Sequence, residues 1–246
     1  MKSGAPVLLA ALLTAASVLA TPVPGASAQS VCPPPAETVT AAAIRADGTI
    51  LLSDGRNILL AGTVLGPDAT GALAALAEGQ TLTIRPLGKP DRWGRQSAHV
   101  DGVEEKLIAE GLGHAASLVP GACIAPLLAA EARARDAGIG LWSRPGYVLA
   151  AIDGEALTAR RGHSVIVEGE VVSVGESRGR VYLNFARYWK SGLSLIIAEN
   201  NWPMFAGGAS AESLVGRRLR VRGRLEHRVG PAILAGPDDR IEFVTP

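Results

Sequence analysis

The stretch from residue 89 to residue 142 constrains the fold more than any other part of the chain, because it combines a turn, a strand and a helix with a defined end. The turn is Asp-Arg-Trp-Gly-Arg at 91–95, and a strand is predicted to follow it at 96–100. Residues 127–137 are rich in alanine, leucine, glutamate and arginine, which favour a helix, and Gly138 ends it. This combination is typical of a small domain in which helices cover a sheet.

The residues before this stretch extend the same domain, which we place at 41–143. Short apolar runs bounded by turn residues predict strands, and the Asp-Gly pair at 54–55 predicts a hairpin. Alanine-rich or leucine-rich segments that end at a glycine predict helices. The predicted strands lie at 41–45, in the hairpin at 48–61 and at 81–86, and the predicted helices lie at 69–77 and 104–111.

A second domain is predicted at 163–246, after a linker at 144–162 that begins with a Pro-Gly break. Five short strands with a helix between the third and the fourth follow the element order of an OB-fold. The predicted strands lie at 164–174, 180–187, 193–198, 217–226 and 241–244. The fold class predicted for the chain is therefore α+β, mainly β, with two small OB-fold-like β-barrels.

The N-terminus predicts export. Residues 1–28 combine Lys2, an apolar run at 7–20 that is too short for a transmembrane helix, and an Ala-Ser-Ala cleavage site. This combination is typical of a secretory signal peptide. A Pro-rich arm follows at 29–40. We therefore expect an exported protein, periplasmic or secreted, with no transmembrane segment once the signal has been removed. An uncleaved signal that acts as a membrane anchor is the alternative.

Charge and cysteine content limit the partners and the chemistry. The chain has 24 lysines and arginines against 23 acidic residues, and removal of Lys2 with the signal leaves the charges balanced. Only local patches can therefore select a charged partner. Cys32 and Cys123 are predicted to form a disulfide in an oxidising compartment, with two free thiols as the alternative. No cysteine or histidine lies at metal-ligand spacing, so no metal site is predicted from these residues.

The turn and the helix described first carry a resemblance to a known family. The Asp-Arg-Trp-Gly-Arg turn, followed by a helix that reads L-x-A-E-x-x-A-R-x-x-x-x-G-L-W, resembles the staphylococcal nuclease-like (thermonuclease) family. The resemblance implies a phosphodiesterase that uses calcium, a general base and two arginines, because negative charge gathers on the phosphoryl oxygens in the transition state. In that family Arg95 corresponds to the second of the two arginines.

Most of the other family positions are lost, which makes the chain resemble a degenerate member. Ala46 and Gly48 replace the carboxylates of the Asp-Gly-Asp-Thr motif. Leu59 replaces the first arginine, and Val64 (or Leu65) replaces a metal-binding aspartate.

The general base of the family depends on how the second motif is aligned. Asp68 corresponds to the base if one residue is inserted in that motif; without the insertion Pro67 takes the position and the base is missing. The resemblance therefore implies no confident catalytic residue beyond Arg95, and no cofactor except calcium if the nuclease is active.

A row of arginines in the second domain suggests anion binding. Alternation along a strand places Arg218, Arg220, Arg222 and Arg224 on one side, where a phosphate backbone could bind them or glutamates of a neighbouring strand could pair with them. Aromatic rings of OB-folds stack on bases, although the pattern favours Tyr182 and Phe185 as core residues over stacking platforms. The candidate binding residues are these four arginines, Tyr182, Phe185, Arg92 and Arg95.

Three functions are compatible with these features. The first is a non-catalytic module that binds single-stranded nucleic acid or another polyanion. The second is an active calcium-dependent nuclease with a rearranged site that uses Arg95, Asp68 and Asp47. The third is an envelope protein that binds protein or glycan, and no residue pattern selects it.

Overall fold

The computed structural model describes residues 1, 36–116, 121–188, 190–206, 209–236 and 241–244. The predicted signal peptide beyond Met1, most of the Pro-rich arm and Cys32 lie outside these residues, so the export signal and the Cys32–Cys123 disulfide stay predictions. Cys123 itself is buried in the protein core. No helix in the described part of the chain has both the length and the apolar character needed to span a membrane.

The described residues are mixed α and β, with strands predominating, as the sequence predicts. The elements up to residue 136 are β1 (Glu37–Ile44), β2 (Ile50–Leu52), β3 (Asn57–Leu60), β4 (Thr63–Leu65), α1 (Ala69–Ala77), β5 (Thr81–Leu87), β6 (Arg95–Val100), α2 (Val103–Ala109), β7 (Gly113–Ala115) and α3 (Gly121–Asp136).

Five of these strands close into a barrel, here called the first barrel. Its order is β1-β2-β3-β6-β5, and β5 pairs back with β1. Only β3 and β6 run parallel. Alternate residues of the strands point inward, so Ile50, Ile58 and Ile84 are fully buried, and Leu73 of α1 and Leu107 of α2 pack into the same core.

Helix α3 packs on the outside of this core through one apolar face. Ile124, Leu127 and Ala130 recur at helical spacing and are buried. The helix begins at Gly121, six residues before the predicted start at 127, because Pro126 is accommodated inside it. A proline this near the N-terminus interrupts few backbone hydrogen bonds, so it did not end the helix as the sequence suggested.

The remaining elements are two helices and the strands of one large sheet, here called the second sheet. They are β8 (Val148–Ala150), α4 (Gly154–Ala159), β9 (Ser164–Glu170), β10 (Ser173–Ser177), β11 (Arg180–Asn184), β12 (Ser194–Ala198), α5 (Trp202–Ala206), β13 (Arg218–His227), β14 (Pro231–Ala235) and β15 (Glu242–Phe243). The strand order is β10-β11-β12-β14-β13-β9-β8. Strand β15 pairs with β13 at Leu219 and Arg220.

Strands β9 and β10, at opposite sides of this order, are separated by only Val171 and Val172. The Val171 N–H donates to Arg217, next to β13, and the Val172 N–H donates to Asn184 of β11. The chain therefore crosses within two residues from one side of the sheet to the other. As in the first barrel, the third strand of this path, β12, runs parallel to its neighbour β14.

Three features of the second half differ from the sequence prediction, besides the division of the predicted strand at 164–174 into β9 and β10. Strand β14 was not predicted, because Gly230 and Pro231 suggested a loop; a proline at the first residue of a strand costs little, and Ile233 is buried in the core. The predicted fifth strand at 241–244 forms only the short β15. Part of the predicted linker at 144–162 belongs to the sheet, because β8 pairs in parallel with β9.

Candidate functional site

The arginine row lies on β13, and alternation along this strand separates it from the core as predicted. Leu219, Val221 and Leu225 point into the second sheet's core and are at most 2 % exposed. The arginines lie on the other side, where β9 places Glu168 directly opposite Arg220. The row therefore includes cross-strand charged pairs and is not a uniformly open surface.

Arg222 is buried, and it connects the second sheet to α3. Its Nη1 donates to Glu131 Oε2 at 2.8 Å and to the Ala115 carbonyl at 2.8 Å, while Nη2 donates to Glu131 Oε1 at 3.0 Å. Glu242 accepts from Nε at 2.9 Å and also from Nη2. Glu131 is completely buried, and its Oε2 also accepts from the Ala115 N–H. This guanidinium has its donors engaged and cannot bind a phosphate in this structure.

Burial and charge at this pair shift the ionisation of its neighbours. Burial alone would raise the pKa of Glu131, but hydrogen bonds and charge from Arg222 outweigh it and hold that pKa below its ordinary value. His114 is also buried, and burial together with the nearby Arg222 charge lowers its pKa to about 4. His114 is therefore neutral at physiological pH, and its Nδ1 shares a hydrogen bond of 2.5 Å with the Tyr147 hydroxyl.

The other arginines of the row differ in their surroundings. Arg220 is buried and donates from Nε to Glu168 at 2.7 Å. Arg218 is exposed and lies 3.8 Å from Glu168. Arg224 is exposed and, within the described residues, has no ion-pair partner; it lines a groove between the second sheet and the first barrel. Two of the four predicted arginines are thus structural, and Arg224 is the member of the row for which the described part of the chain supplies no acidic partner.

The two aromatic residues predicted to bind a ligand, Phe185 and Tyr182, also differ in their surroundings. Phe185 is fully buried in the core of the second sheet, so its ring cannot stack on a ligand outside, which corrects its assignment as a binding residue. Tyr182 alternates with the buried Val181 and Leu183 on β11 and points to the outer side of the sheet. Gly175 is its partner on β10, and the space above Gly175 is open, so that flank of the Tyr182 ring is uncovered.

Tyr182 belongs to a concave face of about 490 Å³, here called the outer face. Strand register places Tyr182, Ile196 and Leu234 side by side across β11, β12 and β14. Arg180 at the start of β11 and Arg228 in the β13–β14 turn line the same face. The outer face therefore combines an apolar centre and one aromatic ring with two guanidinium groups at its edge.

The charges at the edge of the outer face are only partly neutralised. Arg180 has no ion pair within the described part of the chain, whereas Arg228 contacts Glu226 at 3.2 Å in an exposed pair. Exposed pairs of this kind contribute little and exchange readily with other anions. Glu176 also lines the face, and the exposed side chain of Val229 extends its apolar part.

Sequence reasoning did not single out Arg180 or Arg228. Arg228 ends the arginine-rich run at 217–228 but does not share the alternation of Arg218–Arg224, and Arg180 lies beside the turn at 178–179, so neither was placed on a binding face. The available signal was the unpredicted β14, because Leu234 and Ala232 on that strand complete the apolar centre. Recognition of the Pro231–Ala235 run as a strand would have placed Arg228 in a hairpin beside Tyr182.

The turn that resembles the thermonuclease family is braced internally. Asp91 accepts from the backbone N–H groups of Trp93 and Arg95 at 2.9 Å, and the Arg95 guanidinium donates to the same carboxylate from Nε at 3.0 Å and Nη2 at 2.9 Å. Arg92 lies with its guanidinium 3.9 Å from the centre of the exposed Trp93 ring. An incoming phosphate would have to compete with Asp91 for Arg95.

Asp68 is engaged elsewhere. Its carboxylate accepts from Arg144 Nη2 at 2.5 Å and its side chain is 69 % exposed. It precedes α1 without capping that helix. Asp68 and Arg95 thus each bind a different charged partner, and no described contact joins them in a catalytic pair.

The positions that hold calcium and phosphate in the resembled family do not fit a cation here. Leu59 and Val64 line an apolar groove, and Ala46 and Gly48 supply no carboxylate. Hard cations need several oxygen ligands, usually including carboxylates. Across the residues that the structure describes, no three histidine, cysteine, aspartate or glutamate side chains are grouped to hold a metal ion.

Comparison with known proteins adds no family assignment. A scan against protein-family models gives no match, and a search of curated proteins gives none either. The function must therefore be argued from the geometry described above.

Proposed function

We propose that the protein is a non-catalytic binding protein that holds single-stranded nucleic acid on the outer face of its second sheet. The observation that carries this proposal is the combination in one concave face of the Tyr182 ring, an apolar centre and the Arg180 and Arg228 guanidinium groups. Single-stranded nucleic acid presents the complementary chemistry, since its bases are flat apolar rings and its phosphates are anions.

Each part of the outer face has a role in this proposal. The Tyr182 ring, with its open flank beside Gly175, stacks on one base. Ile196 and Leu234 contact the neighbouring base through apolar surface. Arg180 and Arg228 bind the flanking phosphates without reading sequence, because backbone contacts carry no base information. The expected preference is therefore for single strands over duplex, with little sequence specificity.

The fold part of the proposal rests on strand order and on sequence patterns. We propose that the second sheet is an OB-fold-like barrel closed through the bend at Val171 and Val172, and that the first barrel is a degenerate thermonuclease-like domain. The turn at 91–95 and the sequence of α3 support the second part. Export, proposed from residues 1–28, would place the binding protein outside the cytoplasm.

The experiment is a fluorescence anisotropy titration of a fluorescein-labelled single-stranded thymidine oligonucleotide with the purified protein at several salt concentrations. Two phosphate contacts predict a slope of log K against log salt of about −1.4, because each contact on a single strand contributes about −0.7. Arg180→Gln should weaken binding and make the slope shallower by about 0.7.

Arg133→Gln is the matched control, since Arg133 is an exposed arginine on α3 outside the outer face. It should leave both affinity and slope unchanged. Absence of saturable binding at low salt, or equal effects of the two substitutions, would show that the outer face does not hold nucleic acid.

A further inference from the structure

A second groove of about 600 Å³ lies between the first barrel and the second sheet. On the barrel side, strand register places Leu59, Ser97 and Leu87 in one row across β3, β6 and β5. On the sheet side, Ser164 of β9 lies directly opposite Arg224 of β13. The volume is within the range of about 300–1,000 Å³ that is usual for small-molecule sites.

The lining of this groove is mainly apolar, with one charged residue among the described residues. Most of the residues around it are aliphatic or small: Leu59, Leu60, Ala61, Val64, Leu87 and Ala116. Ser97 and Ser164 add hydroxyl groups, and Arg224 is the charged residue among the described residues that line it. The groove thus has an extended apolar wall and one positive charge at a defined place.

Within the described residues, no acidic side chain balances the charge on Arg224. Arg220 and Arg222 on the same strand face are buried against Glu168, Glu131 and Glu242. Arg224 has no acidic partner within ion-pair distance anywhere in the described ranges. A guanidinium presents a planar fork of donors that matches a carboxylate, so this position favours an external monoanion.

The lining argues against nucleic acid as the occupant. It contains no aromatic ring among the described residues, so bases have no surface on which to stack. One arginine also matches a single anionic group better than a chain of phosphates. From charge complementarity and the aliphatic wall, we infer that the groove binds an amphipathic monocarboxylate of the fatty-acid class.

In this site the carboxylate accepts hydrogen bonds from the Arg224 guanidinium, and Ser164 offers a second polar contact beside it. The alkyl chain lies along the row of Leu59 and Leu87 and against Val64, where its removal from water supplies the main driving force. The side chains that occupy the resembled catalytic positions are then the side chains that hold the alkyl chain.

The test is isothermal titration calorimetry of the full-length protein with dodecanoate and with dodecanol, which has the same chain length and no charge. Dodecanoate should bind with saturation at one site per chain, and dodecanol at least about tenfold more weakly, as expected from loss of a charged hydrogen bond. Arg224→Gln should weaken dodecanoate binding by about tenfold or more and leave dodecanol binding unchanged.

Arg218→Gln is the matched control, because Arg218 is an exposed arginine of the same strand that does not line the groove. It should bind dodecanoate like the wild-type protein. The inference is overturned if dodecanoate does not saturate, if Arg224→Gln and Arg218→Gln behave alike, or if the thymidine oligonucleotide displaces dodecanoate, which would place nucleic acid in the groove. These outcomes are independent of binding at the outer face.

Discussion

Two regions on the outer side of the second sheet use arginine in opposite ways. On β13, Arg220 and Arg222 are buried and bound by three glutamates, one of which, Glu131, comes from α3. On the outer face, Arg180 and Arg228 are open to solvent and border an apolar surface with a half-buried tyrosine, Tyr182. The richer arginine cluster is therefore the structural one, and the sparser one is the candidate for binding.

This difference shows that the number of arginines on a strand does not indicate an anion site. A buried guanidinium must be matched by carboxylates, since an unpaired buried charge is very unfavourable. An arginine can bind an external anion only where the fold leaves it without a buried partner. The following predictions test that distinction, from the largest expected effect to the smallest.

Removal of Arg222 should destabilise the protein most. Arg222→Ala leaves Glu131 buried without its partner, so the free energy of unfolding should fall by about 3–5 kcal/mol. Arg218→Ala, on the same strand but exposed, should change it by less than about 1 kcal/mol. Urea denaturation of both variants measures the difference, and equal losses would mean that Arg222 is not the structural member of the row.

Phe185 and Tyr182 should likewise divide into a structural residue and a binding residue. Phe185→Ala should lower the free energy of unfolding by about 3–5 kcal/mol, because it opens a cavity in the core. Tyr182→Ala should leave stability nearly unchanged and weaken oligonucleotide binding by about fivefold or more through loss of stacking. Thermal denaturation and anisotropy together test this pair; a Tyr182→Ala variant that binds normally would remove the ring from the site.

The buried network should make stability depend on pH. The pKa of His114 is lowered from 6.5 to about 4 in the folded protein, so the unfolded chain binds an extra proton between these values and stability falls as pH falls. From pH 7.5 to pH 5 this group should remove about 2 kcal/mol of stability.

His114→Gln is the variant that isolates this effect. The decrease in unfolding free energy between pH 7.5 and pH 5 should be smaller in the variant by about that amount, whatever its stability at neutral pH. Glu131, whose pKa is also lowered, adds a further loss only at more acidic pH. An unchanged pH dependence in His114→Gln would show that His114 is not buried in its neutral form.

The smallest effect is expected at the turn of the first barrel. Arg95→Ala breaks a partly exposed ion pair with Asp91, so stability should change by about 1 kcal/mol or less. Because the positions around it do not fit calcium, we expect no calcium-dependent cleavage of single-stranded DNA on a denaturing gel from either protein. Cleavage that Arg95→Ala abolishes would show that the first barrel keeps a working site.

Local sequence patterns predicted most of the fold. Helix α1 has the predicted bounds, and β5, β6 and β12 lie within two residues of theirs, because each combines clear periodicity with a glycine or turn boundary. Two of the errors occurred where a proline was tolerated: Pro126 inside α3 and Pro231 at the start of β14. In both cases tertiary packing of neighbouring apolar residues outweighed the local preference.

The candidate site was less predictable because it depends on contacts between distant residues. Alternation correctly placed Arg220 and Arg222 on the outer side of β13, but the sequence gives no indication that Glu131, about ninety residues away, lies against Arg222. Tyr182 and Phe185, by contrast, are separated by three positions, so alternation along the predicted strand at 180–187 already places the two rings on opposite faces.

The most direct measurement is an NMR titration of the isotope-labelled protein with a short thymidine oligonucleotide, following backbone amide shifts. Binding at the outer face predicts saturable shifts at Tyr182, Ile196 and Leu234 and in the turn around Val229, with little change along Arg218–Arg222. Shifts concentrated on the arginine row of β13, or on the turn at 91–95, would contradict the assignment of binding to the outer face.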